Sequence, residues 1–196
     1  METRYDRRKA RTRDEICRAG VALMLKHGFD DVAMDDIATE ADVSRGTLYN
    51  HFKSKFELLR HHVRGLQAAA ERPGDMEKLR QMADSRARFA AVVDHMFDFS
   101  DEHRDVMRLY GRERVRELIE SGPDEKGSLQ GLLERLVAWG LEDGDLRTDV
   151  EPPLMVAAFR GVFLGLYVAW LDGVPRRERR RRQAAFLSLY FGGVSR

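Results

Sequence analysis

Apolar residues recur along most of this chain at intervals of three and four, the spacing of one helix face, and no window alternates apolar and polar as a half-buried strand does. The pattern predicts an all-α protein of about nine helices. A first helix spans about residues 11–27, with Ile16, Ala19, Gly20 and Leu23 on one face and Val21 and Met24 beside it. Gly28 supplies the left-handed position that ends a helix, and Phe29 folds back over a small core. A second helix covers residues 34–41, with Asp35 and Asp36 in the first turn, where the helix dipole favours acids. Asp42-Val43-Ser44 is a tight turn, and Ser44 caps a third helix over 45–52. Ser54 and Glu57 form a capping box that opens a fourth helix, running to about residue 70 and stopped by Arg72-Pro73-Gly74-Asp75.

Further helices are expected over about residues 76–99, 102–119 and 129–141, with a turn at Gly122–Pro123 between the last two. Pro152 and Pro153 start an apolar helix that ends at Gly173-Val174-Pro175, and a last helix reaches about residue 191. The run from Leu154 to Leu171 is apolar except for Arg160. It sits at the short limit for a bilayer span, and a charge at mid-bilayer is costly. The expectation is a helix buried on most sides in a soluble protein with no membrane partner.

A short helix, a three-residue turn and a second short helix is the geometry that lays the second helix in the DNA major groove. Ile37, Ala38, Ala41, Val43, Leu48 and Phe52 have the spacing to close a shared core beneath it. The outward positions are Arg45, Thr47, Tyr49, Asn50 and His51, all able to hydrogen-bond, and Gly46 permits close approach to a phosphate or base edge. Lys55, at the start of the fourth helix, can grip a phosphate together with backbone N–H groups. A polar stripe can also simply face water. Charge placement decides against that.

The chain carries 34 Lys+Arg and 33 Asp+Glu, a net of +1, so it is not basic overall. Arg4, Arg7, Arg8, Lys9, Arg11 and Arg13 nevertheless crowd the N-terminus, and Lys53 and Lys55 follow the third helix. A nucleic-acid binder needs a basic contact face, not a basic chain. With 43% hydrophobic residues the chain is too apolar to be disordered. One Cys excludes an internal disulfide and fits a cytoplasmic protein, and the charged first residues lack the apolar stretch of a secretory signal.

The stretch from Gly28 to Ala38, with Gly-Phe-Asp-Asp-Val at its head, and that from Ala41 to Leu59, with Val43-Ser44-Arg45-Gly46-Thr47-Leu48-Tyr49-Asn50-His51-Phe52 within it, resemble the N-terminal domain of the TetR family of regulators. The resemblance implies a homodimer, mostly a repressor, whose C-terminal helices hold an inducer pocket. It also implies operator contacts at Arg45, Gly46, Thr47, Tyr49, His51 and Lys55. The family usually has Thr or Ser just before the second helix, as a cap that touches phosphate. Here that region is Val32-Ala33-Met34, with no cap side chain, a loss of typically ~1 kcal/mol. Asp35 and Asp36 offset it through the dipole, and the N-terminal Arg cluster is a substitute for the phosphate contact.

This organisation divides the chain into a helix-turn-helix domain, residues 1–53, and a helical regulatory and dimerisation domain, residues 54–196, linked by the fourth helix. Gly161 and Gly165 give the apolar helix a small face that a partner copy can approach closely. Phe97, Tyr110, Trp139 and Phe163 are candidates to line a pocket for an apolar or aromatic effector, although aromatics at helical spacing also make plain core. Arg160 either anchors an anionic group or pairs with an acid. The Arg176–Arg182 cluster is expected to be solvated. No nucleophile–base set, phosphate loop or metal-ligand spacing supports an enzyme or a cofactor site. The expectation is therefore a ligand-responsive regulator. The alternative is a DNA-binding accessory regulator without a small-molecule ligand.

Overall fold

A computed structural model describes residues 3–121 and 128–194, so the expected turn at Gly122–Pro123 lies outside the described residues. Ten helices occur among them: α1 Arg4–His27, α2 Met34–Glu40, α3 Arg45–His51, α4 Lys55–Ala70, α5 Asp75–Arg80, α6 Ser85–Glu102, α7 Arg104–Ser121, α8 Ser128–Asp143, α9 Pro152–Leu171 and α10 Arg176–Val194. No strand is present among the described residues, so the fold is all-α as the periodicity predicts.

The helix expected over residues 76–99 is two helices. Asp84 causes the break: its carboxylate accepts the Ala87 N–H at 2.7 Å and caps α6 anew, a stop-and-start signal carried without Gly or Pro. Helix α1 starts two turns earlier than the apolar pattern predicts. Thr3 Oγ1 accepts the Asp6 N–H at 3.1 Å, and the Asp6 carboxylate accepts the Thr3 N–H at 3.0 Å, a reciprocal cap among charged residues that show no apolar period. Gly28 ends α1 at φ 96°, ψ 157°, a glycine-only conformation rather than the left-handed one expected.

Two compact units result. The first comprises the chain up to Glu71 together with His103–Arg116. Its core joins Ile16, Met24, Ile37, Leu48, Phe52 and Leu58, each about fully buried and each contributing roughly 1.5–3 kcal/mol through burial. Gly20 lets α1 meet its neighbours closely: a Cβ there would lie 2.8 Å from Leu58 Cδ1 and 3.1 Å from Ile37 Cγ2.

The second unit comprises Arg72–Glu102 and Glu117–Arg196. Its centre is a set of interlocked rings. Phe159 of α9 meets Phe89 of α6 edge-on at 4.6 Å, and Phe186 and Tyr190 of α10 both at 5.2 Å. The Tyr190 hydroxyl donates to the Met155 carbonyl at 3.0 Å, and burial pushes its pKa up to about 12. Helix α9 is long and apolar enough to cross a membrane, with mean hydropathy 1.8. Here its Phe159, Phe163, Leu166 and Trp170 face is buried in the unit, while Ala157, Ala158, Gly161 and Val162 are exposed.

The arginine cluster is not uniformly solvated. Arg179 is 3% exposed, pairs with Asp101 at 2.6 Å and lies 4.7 Å over the Phe97 ring. Arg176 pairs with Asp98, and Arg181 and Arg182 with Glu178. The cluster begins a helix that crosses α6, so its buried face must meet acids there.

Candidate nucleic-acid interface

The turn between α2 and α3 is tight because Val43 N–H reaches back to the Ala38 carbonyl at 3.0 Å, which holds Asp42 at φ 51°. Ser44 then caps α3, its hydroxyl accepting the Thr47 N–H at 3.1 Å and bonding the Thr47 hydroxyl at 2.9 Å. On the inner side of α3, Leu48 and the C-cap Phe52 are fully buried. The remaining positions are turned outward: Arg45, Gly46 and Asn50 are exposed, and Thr47, Tyr49 and His51 half-buried. Six of the seven residues expected to contact DNA thus lie on one short helix, at positions that are exposed or half-buried.

Arg45 lies 3.2 Å from Asp35 and 5.5 Å over the Tyr49 ring, both solvent-exposed contacts. An exposed pair of this kind is worth about 0–1 kcal/mol and yields readily to a stronger anion. A Cβ at Gly46 would meet only Ser44 Oγ, at 3.9 Å, so nothing within the protein requires glycine there. Burial, reinforced by the charges of Lys9 and Arg13, holds His51 below the usual imidazole range. Its Nδ1 is buried without a hydrogen-bond partner.

The lysines are placed less simply. Lys53 Nζ donates to the Tyr49 carbonyl at 2.7 Å and closes the end of α3. Lys55 Nζ donates to the Phe29 carbonyl and lies 4.6 Å over the Phe29 ring, which ties the start of α4 to the α1–α2 turn. An ammonium has three donors, so each lysine keeps capacity for a phosphate. At the start of α4, Ser54 Oγ accepts the Glu57 N–H at 3.1 Å, but Glu57 reaches back to the Lys53 N–H, one residue before the expected partner. The cap missing at Ala33 is half replaced: the Asp36 carboxylate accepts the Ala33 N–H at 2.7 Å.

The residues expected to line an effector site do not form one group. Phe97 and Phe163 are buried together in the second unit with ring centres 5.8 Å apart. Trp139 is half-buried there, 5.5 Å beneath the Arg80 guanidinium. Arg160 donates to Gln130 Oε1 at 2.7 Å, an amide rather than an acid. Tyr110 belongs to the first unit, stacked on Phe56 at 5.8 Å. Sequence reasoning missed the Arg13 guanidinium lying 4.8 Å over the Phe52 ring and the effect of Lys9 and Arg13 on the charge of His51. The only signal was their spacing of four on α1, which helical geometry places on one face.

A capped, outward-facing polar helix held on a small apolar core defines a helix-turn-helix DNA-binding regulator. Residues 16–61 match the family model of bacterial regulatory proteins, tetR family. The chain is 30% identical over 167 residues to the HTH-type transcriptional regulator TcmR of Streptomyces glaucescens, covering 80% of this chain and 71% of that one. It is 28% identical to the putative mycofactocin biosynthesis transcriptional regulator MftR of Mycobacterium tuberculosis, covering 87% and 85%. Among solved structures, the fold resembles Thermus thermophilus FadR, a TetR-family transcriptional repressor in complex with lauroyl-CoA, at TM-score 0.68 and 23% identity over 92% of this chain and 94% of that one. The chain belongs to the tetR family of bacterial regulatory proteins.

Proposed function

We propose that this chain is a cytoplasmic, ligand-responsive transcriptional repressor, not an enzyme, that binds a palindromic operator as a homodimer. The observation that carries the reading is the outward set Arg45, Gly46, Thr47, Tyr49, Asn50 and His51 on α3, with Lys55 beside it. In this role Arg45, Asn50 and Tyr49 read base edges, and Lys55 positions the head on a phosphate. Dimerisation is supported by one face of α9 and α10. Gly161 and Gly165 have open space around them, and Leu189 is 79% exposed. A second copy would cover that face and set two α3 helices ~34–36 Å apart, or a multiple of it.

The effector in this reading is apolar or aromatic, held in the ring-lined second unit by Phe97, Trp139 and Phe163 with Arg160 at its edge. The alkyl chain of lauroyl-CoA in the FadR structure is a ligand of that chemistry. Such a ligand represses DNA binding by favouring a dimer with wrongly spaced heads, for which a differential affinity of ~1–3 kcal/mol is enough. A second reading, an accessory regulator without a ligand, is favoured by the packing of Phe89 against Phe159 and Phe191 at 4.6 and 5.5 Å.

The test is selection of operator from random DNA by the purified protein, followed by variants. Tyr49→Ala is expected to lose ~1–3 kcal/mol of preference for the selected site. Gly165→Glu is expected to yield monomers by sedimentation and to abolish operator binding with them. Full operator affinity in both Tyr49→Ala and His51→Ala would overturn the assignment of α3. Stabilisation by fatty acyl or aromatic compounds favours the ligand-responsive reading; its absence favours the accessory one.

A further inference from the structure

Asp35 and Asp36 are neighbours in the first turn of α2, yet their carboxylates serve different ends. Asp36 turns back and accepts the Ala33 N–H at 2.7 Å, closing the start of its own helix. Asp35 reaches across the turn to the next helix, where its Oδ2 lies 3.2 Å from Arg45 Nη1. The dipole of α2 favours an acid at either position. It does not require that one of them meet the reading helix.

Arg45 is thereby held on two sides without being buried. Asp35 stands at Nη1, the Tyr49 ring lies 5.5 Å from the guanidinium, and 69% of the arginine side chain stays open to solvent. A guanidinium carries five N–H donors in a rigid planar fork, so the contact with Asp35 leaves enough of them for the two parallel bonds that guanine O6 and N7 accept. A phosphate is a different target. It is a second anion on the same guanidinium and must displace Asp35 or stand beside its charge, whereas the edge of a base is neutral and does neither. The start of α2, with Ala33 as its cap and Met34, Asp35 and Asp36 after it, also offers a phosphate no side-chain donor.

We propose that Asp35 is a specificity-determining residue of the DNA-reading surface: it steers Arg45 away from the phosphate backbone and presents its fork to the edge of a guanine in the major groove. Asp35 is a positioning residue, acting through Arg45 and touching no base itself. The proposal rests on the reading of α3 as the DNA-reading helix, and deepens it by naming the base that Arg45 selects. Because Asp35 and Tyr49 hold the guanidinium before DNA arrives, less side-chain freedom is lost on contact.

Operator selected from random DNA by the intact wild-type protein supplies the probe. Each G·C pair in it is replaced in turn by A·T, and the pair at which Arg45→Ala loses discrimination is the one that Arg45 reads. A good bidentate arginine–guanine contact discriminates by roughly 5- to 150-fold. Asp35→Asn keeps the shape and removes the charge. It is expected to lower discrimination at that one pair by about fivefold, the size of an exposed ion pair, and to leave the other pairs unchanged. Affinity for mixed-sequence duplex is expected to rise, with the slope of log affinity against log salt steeper by about 1, as Arg45 becomes free to take a phosphate. Asp35→Glu keeps the charge and is expected to retain most of the discrimination. A role confined to the helix dipole would lower stability in urea and leave the preference at one base pair untouched. Undiminished discrimination in Asp35→Asn at the pair that Arg45→Ala loses, or an equal drop at every pair, overturns the proposal and leaves the assignment of α3 standing. If Arg45→Ala loses discrimination at no pair, the proposal falls together with the base-reading role of Arg45. A wild-type protein that selects no operator overturns both the proposal and the reading of α3.

Discussion

The helix caps of the first unit and the buried ion pairs of the second differ in reach. In the first, the bonds that define the helices join residues three or four apart: Thr3 with Asp6, Ala33 with Asp36, Ser44 with Thr47, Ser54 with Glu57. In the second, the decisive bonds span most of the unit. Arg88 meets Asp143 across 55 residues, Ser85 meets Asp145 across 60, and Arg179 meets Asp101 across 78. The caps of the first unit are exposed, whereas Arg88 and Arg179 are each 3% exposed. An exposed cap is a local device of about 1 kcal/mol that can be lost singly. A buried charge is a larger commitment, because a guanidinium enclosed by the fold cannot turn to water when its carboxylate is removed.

That difference is most directly broken at Arg179. Asp101 receives Arg179 on one side and the Trp170 indole N–H at 2.9 Å on the other. Arg179→Met takes the guanidinium away from the Asp101 carboxylate, which keeps the Trp170 indole N–H, and is expected to cost about 3–5 kcal/mol. Both tryptophans, Trp139 and Trp170, lie in the second unit, so urea unfolding followed by their fluorescence reports that unit. Replacing Asp101 as well, with Leu, is expected to recover part of the loss, since the carboxylate that lost its guanidinium is then gone. A loss below about 1 kcal/mol for Arg179→Met would show that water reaches Asp101 and that the two units do not differ in kind.

The same contrast explains what could be read along the chain. The reading head was legible because each of its signals is local: an apolar spacing, a Ser cap, a turn. Leu48 and Phe52 are buried and Arg45, Gly46 and Asn50 exposed, as helical phase requires. The seam at Asp84 and the start of α1 at Arg4 were missed because both depend on a side-chain cap in a stretch without apolar period. The burial of Arg179 was illegible for another reason. Nothing near residue 179 announces that Asp101 will stand opposite it. Tyr110 is grouped with Phe97 and Phe163 because its helix is expected to surround the same core, whereas the fold stacks it on Phe56. Lys55 shows the middle case, with the right position and an unforeseen carbonyl partner at Phe29.

Acid sharpens the comparison with a smaller effect. Hydrogen bonds from Arg80, and then from Arg88, hold Asp143 down from 3.8 to about 2. Arg147 does the same for Asp149, also to about 2. A carboxylate whose pKa is lower in the folded state stabilises fully above its unfolded value and loses that contribution as pH falls through the folded one. Fluorescence of the second unit is therefore expected to hold to about pH 4 and to change between about pH 4 and 2. Asp143→Asn should remove part of that step and lower stability at neutral pH, because a neutral amide pairs poorly with two guanidinium groups. An identical acid transition in Asp143→Asn would show that other carboxylates set it.

The smallest effect is expected at Ala33, and it concerns the first unit alone. Ala33 sits at φ −88°, ψ 159°, the extended conformation of an N-cap, and is exposed. Half of a capping box exists, since Asp36 accepts the Ala33 N–H. Thr3 and Asp6 show the complete arrangement in the same protein, with the hydroxyl accepting the N–H three residues on. In Ala33→Ser the new hydroxyl would accept the Asp36 N–H and complete the box with no change of backbone. The gain expected is about 1 kcal/mol, carried by α2 and hence by the seat of α3. Helix α2 has only seven residues, so one more satisfied N–H should be visible as slower amide exchange there, with the tryptophan-reported unfolding of the second unit unchanged. A serine hydroxyl at this place can also donate to phosphate, so affinity for mixed-sequence duplex should rise. Slower exchange without tighter binding would assign Ala33 to helix stability alone. Unchanged exchange would mean that Asp36 by itself already closes the end of α2.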